Sequence, residues 1–468
     1  MKTLKNSSFL HRGKIIISLT IGMSMVSNCT DFLEIDSPKN MIAQTSIFKD
    51  KNMAQSALAD LYSNLRNNSL LRGDISGMHF LLGCYTDELV AVTSQETDFK
   101  IFFNLAVQPS TKSVDDLWIN AYKQIYAANN ILEGVDRSSE YLDDATVKQL
   151  KGEALAIRAF LHFQLTMTYG DIPYVTSTDY IINQSISKST HKVVMQNILS
   201  DLHEGESLLL YSYPTATKSH INKTAVELLL SRTYLYEKDW QHALEYAAKV
   251  INNPSYSMET DLAKVFMKDN KSSIWYFMPA EPGINTLEGQ YFIIPTLPAQ
   301  NAVLSAGLVN SFEPTDARRQ QWIKSITNTQ ETFYFPFKYK QNGKTTASVE
   351  YSIMFRTEEA YLTMAEAENE LGFGNSALIN LNKIRNRAGL LSLPLLPKEQ
   401  LRTAILEERR HEFFTEGGFR FFDLKRTGSL DAVMIGIKPA WKSYMSIIPL
   451  PERELLANPN LKPQNNGY

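Results

Sequence analysis

Apolar residues recur at every third or fourth position along most of this chain, and that spacing commits it to amphipathic α-helices. Met53, Ala57, Leu61 and Leu65 mark one face between Asp50 and Asn67. Leu117, Ala121, Ile125, Ala128 and Leu132 form a longer stripe between Val114 and Val135. The spacing predicts a further long helix over 145–169, stopped by Gly170 and Pro173.

Two stretches read as paired helices. Lys223 to Glu237 is followed across Lys238-Asp239 by a second helix beginning at Trp240. Thr357 to Leu371 and Ser376 to Ala388 repeat the plan across Gly372 and Gly374. In the first pair the small residues Ala225 and Ala243 alternate with Leu229, Tyr234 and Tyr236. This is the grammar of tetratricopeptide-like repeats, in which each pair stacks on the next to bury a face it cannot bury alone. A generic helical bundle is the plainer alternative. Prolines at 279, 282, 295, 298, 314 and 336 interrupt helices between about 256 and 353, where Ile274–Phe277 and Phe333–Phe335 read as short strands. A shorter excursion lies between Leu70 and Lys112. Loops of such length usually carry function. The expected fold is mostly α: a scaffold of helix pairs over about 40–255 and 355–425, a loop-rich excursion with short β-strands over about 256–353, and an irregular segment over 427–468.

Charge and cysteine content exclude several classes. Lys and Arg number 47 against 50 Asp and Glu, so no basic surface points to nucleic acid. Two cysteines, Cys29 and Cys84, cannot build a disulfide framework. Eight scattered histidines suggest no metal cage, and no cofactor motif is complete. At the N-terminus, Lys2, Lys5, Arg12 and Lys14 precede the apolar run Ile15–Val26, which reads as a signal peptide over 1–28. The run is too short to span a bilayer. Val26-Ser27-Asn28-Cys29 resembles a bacterial lipobox, with Asn28 in place of the usual Gly or Ala. On that reading Cys29 takes the lipid. An ordinary secretory signal with an incidental cysteine is the alternative. Cleavage leaves 43 basic against 50 acidic residues, a formal charge of −7. A chain so charged is held on an anionic membrane by its acyl chains rather than by its surface.

Catalytic motifs fail in their context. Gly372 to Ala377 fits a dinucleotide-binding pattern but follows a helix, so it reads as a turn. His411-Glu412 lacks the second histidine of a zinc protease, and Ser46-x-x-Lys49 and Ser185-x-x-Lys188 lack their partner motifs. No pair of carboxylates is placed around a cleft as glycoside hydrolysis requires. The reading is therefore of a protein that is not an enzyme.

Ordered motifs along the mature chain resemble the SusD/RagB family of outer-membrane nutrient-binding lipoproteins of Bacteroidota. They are Cys29–Pro38, Trp118–Leu132, the stretch Glu407–Arg426, and the C-terminal Ile448–Glu452 with Asn458–Leu461 and Gln464–Tyr468. Within 407–426 the family signature falls on Glu408, Arg409, Glu412, Glu416, Gly417, Arg420, Asp423 and Arg426. These residues are expected to lock the terminal helices to the loop region through Arg–carboxylate pairs. The resemblance implies a SusD-like fold over 29–468, a lipid-anchored place on the cell surface, and a SusC-like TonB-dependent transporter as partner. It implies capture of an oligosaccharide, or of a peptide as in some members; a surface glycan hydrolase is the remoter alternative. Sugar binding calls for aromatic faces with amide or carboxylate neighbours. The loop-borne candidates are Tyr291, Phe292 and Trp322, with Asp87, Glu88, Asn301 and Arg318 as polar partners. Trp118, Trp240 and Trp275 are expected in the core.

Overall fold

A computed structural model describes residues 46–468. The predicted signal peptide and Cys29 lie outside the described residues.

The N-terminal half is helical apart from one short strand. Helix α1 (Lys51–Asn68) starts where the Asp50 carboxylate accepts from Met53 N at 2.9 Å. Its buried face is Ala54, Leu58, Leu61, Tyr62 and Leu65, whereas Met53 is 54% exposed. The expected stripe is thus rotated by one residue at its start. Both registers share Leu61 and Leu65, and the one with Leu58 and Tyr62 buries more apolar area. Helix α2 (Met78–Tyr85), strand β1 (Leu89–Ala91) and helix α3 (Asp98–Phe103) follow. Helix α4 (Lys112–Arg137) buries the whole predicted stripe. Helix α5 (Asp144–Tyr169), capped by Asp143, is buried almost throughout its second half and ends at Gly170, whose φ of +80° suits a residue without Cβ. A one-turn helix α6 (Tyr180–Asn183) lies beside α4, and α7 (His191–Leu208) packs along α5.

The two predicted pairs form and stack. Helices α8 (Lys223–Tyr236) and α9 (Trp240–Asn252) approach closely enough for Ser231 Oγ to donate to Ala243 O at 3.0 Å. Trp118 and Trp275 are buried, and Trp240 is only partly so.

The next stretch carries strand β2 (Ser273–Phe277), helix α10 (Leu287–Phe292), strand β3 (Ala302–Leu304), helices α11 (Ala306–Ser311) and α12 (Ala317–Trp322), and strands β4 (Ile323–Thr327), β5 (Thr332–Pro336) and β6 (Ser352–Arg356). The strands form antiparallel two-stranded ribbons, β1 with β3, β2 with β6, and β4 with β5. Helices α13 (Thr357–Glu370) and α14 (Gly374–Arg387) make the second pair, and α9 and α8 lie against α13. Arg232 on α8 clasps Glu359 on α13 with two bonds of 2.5 and 2.7 Å. Helices α15 (Lys398–Phe413), α16 (Phe419–Arg426), α17 (Leu430–Ile437) and α18 (Glu452–Ala457) complete the order. The C-terminal strap is pinned to the end of α5, where Ile448 N donates to Thr168 O at 3.0 Å and Asn465 Nδ2 to Tyr169 O at 2.8 Å.

Candidate functional site

The densest chemistry in the molecule is a buried ion network. Three arginines converge on Glu412 of α15: Arg318 at 3.0 Å, Arg356 at 2.5 Å and Arg387 at 2.5 Å. Burial alone would raise the pKa of Glu412, but the guanidinium groups of Arg387, Arg356 and Arg318 outweigh it and hold the carboxyl well below its ordinary range. Arg318 also meets Glu408 at 2.7 Å and Asp316 at 2.8 Å, and Arg356 meets Glu416 at 2.9 Å. Asp423 sits between Arg409 and Arg426, each at 2.8 Å, and Arg426 continues to Glu366. Arg318 and Arg356 come from the loop-rich stretch and their partners from α15 and the turn after it. The network therefore ties the loops to the terminal helices. Each member has at least one ion partner, which is what keeps buried charge tolerable, although Arg409 Nη1 and Nη2 find no hydrogen-bond acceptor among the described residues.

Five of the loop-borne ligand candidates belong to the interior, where they pack and pair within the chain instead of offering a surface to a ligand. Trp322 is 0% exposed; its Nε1 donates to Leu262 O at 2.8 Å, and Phe266 and Lys338 cover the ring. No face is left for a sugar. Phe292 is buried in a stack on Phe80, with ring centroids 5.2 Å apart. Arg318 is spent on Asp316, Glu408 and Glu412. Asp87 holds Arg410 and Arg420, each at 2.8 Å. Glu88 accepts from Thr415 N at 3.2 Å, and burial together with the Asp87 charge pushes its pKa up to about 7.

The two remaining candidates are brought together at a rim. Antiparallel β1 and β3 end side by side, and Val92 N donates to Asn301 O at 3.0 Å. Asn301 Nδ2 donates to Tyr291 O at 3.2 Å, which fixes the amide beside the last turn of α10. Tyr291 and Asn301 are both half-buried. Thr93 and Gln95 follow β1 in sequence, joined by a bond of 3.2 Å from Gln95 N to Thr93 Oγ1, and Gln300 precedes Asn301 with its Nε2 donating to Pro298 O at 3.0 Å.

A second concavity escaped the sequence reading. A groove of about 550 Å³ is lined by Trp118, Tyr122, Tyr126 and Tyr180, with Asn183 and Asn458 on its walls. Its signal was present: aromatics at 118, 122 and 126 repeat every fourth residue, one position off the buried stripe of α4. Three of the groove's polar groups are engaged within the chain. Tyr122 OH donates to Pro173 O at 2.8 Å, Asn183 Nδ2 to Ser177 O at 2.7 Å and Asn458 Nδ2 to Ile186 O at 2.8 Å. Pro173, Val175, Ile186 and Leu461 add apolar walls, and Lys123, Gln184 and Glu454 add a cation, an amide and a carboxylate.

Stacked helix pairs that carry a loop-rich stretch, locked to the terminal helices by buried arginines, define an α-helical scaffold of the tetratricopeptide type. Residues 31–235 match a family described as starch-binding and associating with the outer membrane, and residues 310–468 match the SusD family. The chain belongs to the SusD/RagB family. It is 24% identical to SusD-like protein P25 of Formosa agariphila, over 94% of this chain and 97% of that one. It is 25% identical to SusD-like protein P2 of the same organism, over 97% and 100%. A SusD superfamily protein from Bacteroides vulgatus superposes with a TM-score of 0.78 at 21% identity, covering 90% of this chain and 99% of that structure. A laminarin-binding SusD-like protein superposes at 0.75 and 22% identity, covering 89% and 99%. Glycan binding and outer-membrane association are thus properties of the family.

Proposed function

We propose that this protein is a lipid-anchored lipoprotein of the cell surface that captures an oligosaccharide and passes it to a SusC-like TonB-dependent transporter, breaking no bonds itself. The supporting observation is the bond that fixes the Asn301 amide to the Tyr291 carbonyl where β1 and β3 end, with both residues half-buried. A pyranose ring lays its axial C–H groups on an aromatic face while amides take its hydroxyls. The structural relative that binds laminarin favours a glycan over a peptide as cargo. A shallow site of this kind binds weakly alone, and tethering beside a transporter raises its effective concentration.

Isothermal calorimetry of the purified chain against glycans that include laminarin oligosaccharides, and against peptides, tests the reading. The expected result is binding of one glycan class, no product formed, and an affinity about ten-fold weaker in Tyr291→Ala. Binding of peptides alone, or release of shorter sugars by the purified chain, rejects it. Co-purification of a TonB-dependent barrel from outer membranes tests the transporter half.

A further inference from the structure

The groove of about 550 Å³ gathers four separate stretches of chain: the middle of α4, the turn after α5, α6 with the residues behind it, and the C-terminal strap around α18. Neither Tyr291 nor Asn301 lines it. Its walls are fastened to one another. Tyr122 OH donates to Pro173 O at 2.8 Å and Asn129 Nδ2 to Val175 O at 3.0 Å, which holds the turn after α5 on α4. Asn458 Nδ2 donates to Ile186 O at 2.8 Å, Asn460 Nδ2 to Ser185 O at 2.6 Å and Lys188 Nζ to Pro463 O at 2.6 Å, which holds the strap on the residues behind α6. These bonds are internal to the chain, so the shape exists before an occupant arrives and binding need not be charged for ordering it.

The rings in the groove are graded in exposure. Trp118 is 3% exposed and closes the base, Tyr122 is half-buried, and Tyr126 and Tyr180 are 46% and 75% exposed. Neither of the last two has a side-chain hydrogen bond or a ring partner among the described residues. The polar groups are few and of mixed kind. Trp118 donates to the half-buried Glu454 carboxylate, which keeps further acceptor capacity. The exposed Gln184 amide has no partner among the described residues. Lys123 offsets the charge of Glu454, so the groove favours no net charge in what it holds.

This combination narrows the occupant. A hydrocarbon would cover the Gln184 amide and the Glu454 carboxylate and give them no hydrogen bond, which costs free energy. A small ion would leave Tyr126 and Tyr180 unused. A neutral ring compound edged with hydroxyls meets both demands, since its C–H faces lie on the tyrosines while its hydroxyls reach the amide and the carboxylate. We propose that this groove is a second carbohydrate site, where a neutral oligosaccharide lays its rings on Tyr126 and Tyr180 and its hydroxyls on Gln184 and Glu454. The inference shares with the proposed function the reading of the cargo as a glycan, and adds a place on the body where that cargo is held. The groove and the rim have no residue in common, so either can fail alone.

The test titrates the full chain with hexasaccharides of laminarin and of starch, and with apolar peptides, by calorimetry and by tryptophan emission. Trp118 is the one tryptophan that lines the groove, so its emission reports an occupant there. Two variants separate the sites: Tyr126→Ala combined with Tyr180→Ala for the groove, and Tyr291→Ala for the rim. Both groove tyrosines are exposed, so the double variant should fold as the wild type does. The expected result is a glycan-dependent change in emission that survives in Tyr291→Ala and needs about ten-fold more sugar in the double variant. Wild-type isotherms in the double variant, with binding lost in Tyr291→Ala, overturn the groove and leave the rim standing. Binding lost in the double variant alone supports the groove and overturns the rim. An emission change with peptides and none with either glycan overturns the groove as a carbohydrate site. A wild type that binds neither glycan overturns both sites.

Discussion

Asp87 and Arg420 form a two-bond fork, Nε to Oδ1 and Nη2 to Oδ2, each at 2.8 Å and buried, across 333 residues of sequence. The fork joins the loop after α2 to α16, and Arg410 adds a third bond to Asp87 at 2.8 Å. Burial opposes ionisation of Asp87, but Arg420 and then Arg410 prevail and lower its pKa. Asp87→Asn leaves the buried Arg420 guanidinium without its paired carboxylate, whereas Arg410 keeps Glu407 at 3.4 Å. The expected cost is about 3 kcal/mol, read as a lower midpoint in urea unfolding. A midpoint within error of the wild type would show that water satisfies Arg420 instead.

Glu88, beside it, behaves in the opposite sense. Its folded pKa is about 7 against an ordinary 4.5, so between those values the folded chain holds a proton that the unfolded chain has released. Its contribution to stability is therefore fully present below pH 4.5 and lost as pH rises through 7. Glu88→Gln removes that loss and still offers an oxygen to Thr415 N. The variant should be more stable than the wild type by about 1–3 kcal/mol above pH 7.5, and should lose the advantage toward pH 4.5. Unfolding free energies measured across this range check the sign.

These two neighbours also show where the sequence stopped being readable. The helices were legible because their signal is local: the stripe of α4 and both helix pairs need only the residues within a few turns. Asp87, Glu88, Arg318 and Trp322 sit in proline-rich or irregular stretches, where charge and aromatic size suggest solvent. Their partners Arg420, Thr415, Glu412 and Leu262 lie 60 to 333 residues away. No periodicity encodes a contact of that range. Tyr291 and Asn301, by contrast, are joined across only ten residues.

Gly418 tests the seam between α16 and α2. Its φ is +74°, and an added Cβ would lie 2.8 Å from Leu82 Cδ1. Gly428 has the same φ and open space around it. Gly428→Ala should cost about 1 kcal/mol, the backbone strain alone. Gly418→Ala should cost more, because Leu82 is 1% exposed and has little room to move. Equal thermal shifts in the two variants would mean that α2 yields without cost.

At the rim, ring and hydroxyl can be separated. Tyr291→Phe keeps the aromatic face and removes only the phenol, so an affinity within about two-fold of wild type is expected if stacking carries the contact. Tyr291→Ala removes the face. Asn301→Ala acts differently: it frees the Tyr291 carbonyl from the bond of 3.2 Å and leaves the ring in place but less fixed. Its loss should appear mainly as faster dissociation, because k_off carries most affinity differences among variants of one site. Both positions are half-buried at a strand or helix end and carry no part of the ion network. Thermal midpoints should therefore stay within about 1 °C of wild type. If Tyr291→Phe instead lost as much affinity as Tyr291→Ala, the hydroxyl would be the recognising group, and a polar cargo without a flat apolar face would replace the pyranose as the ligand to seek.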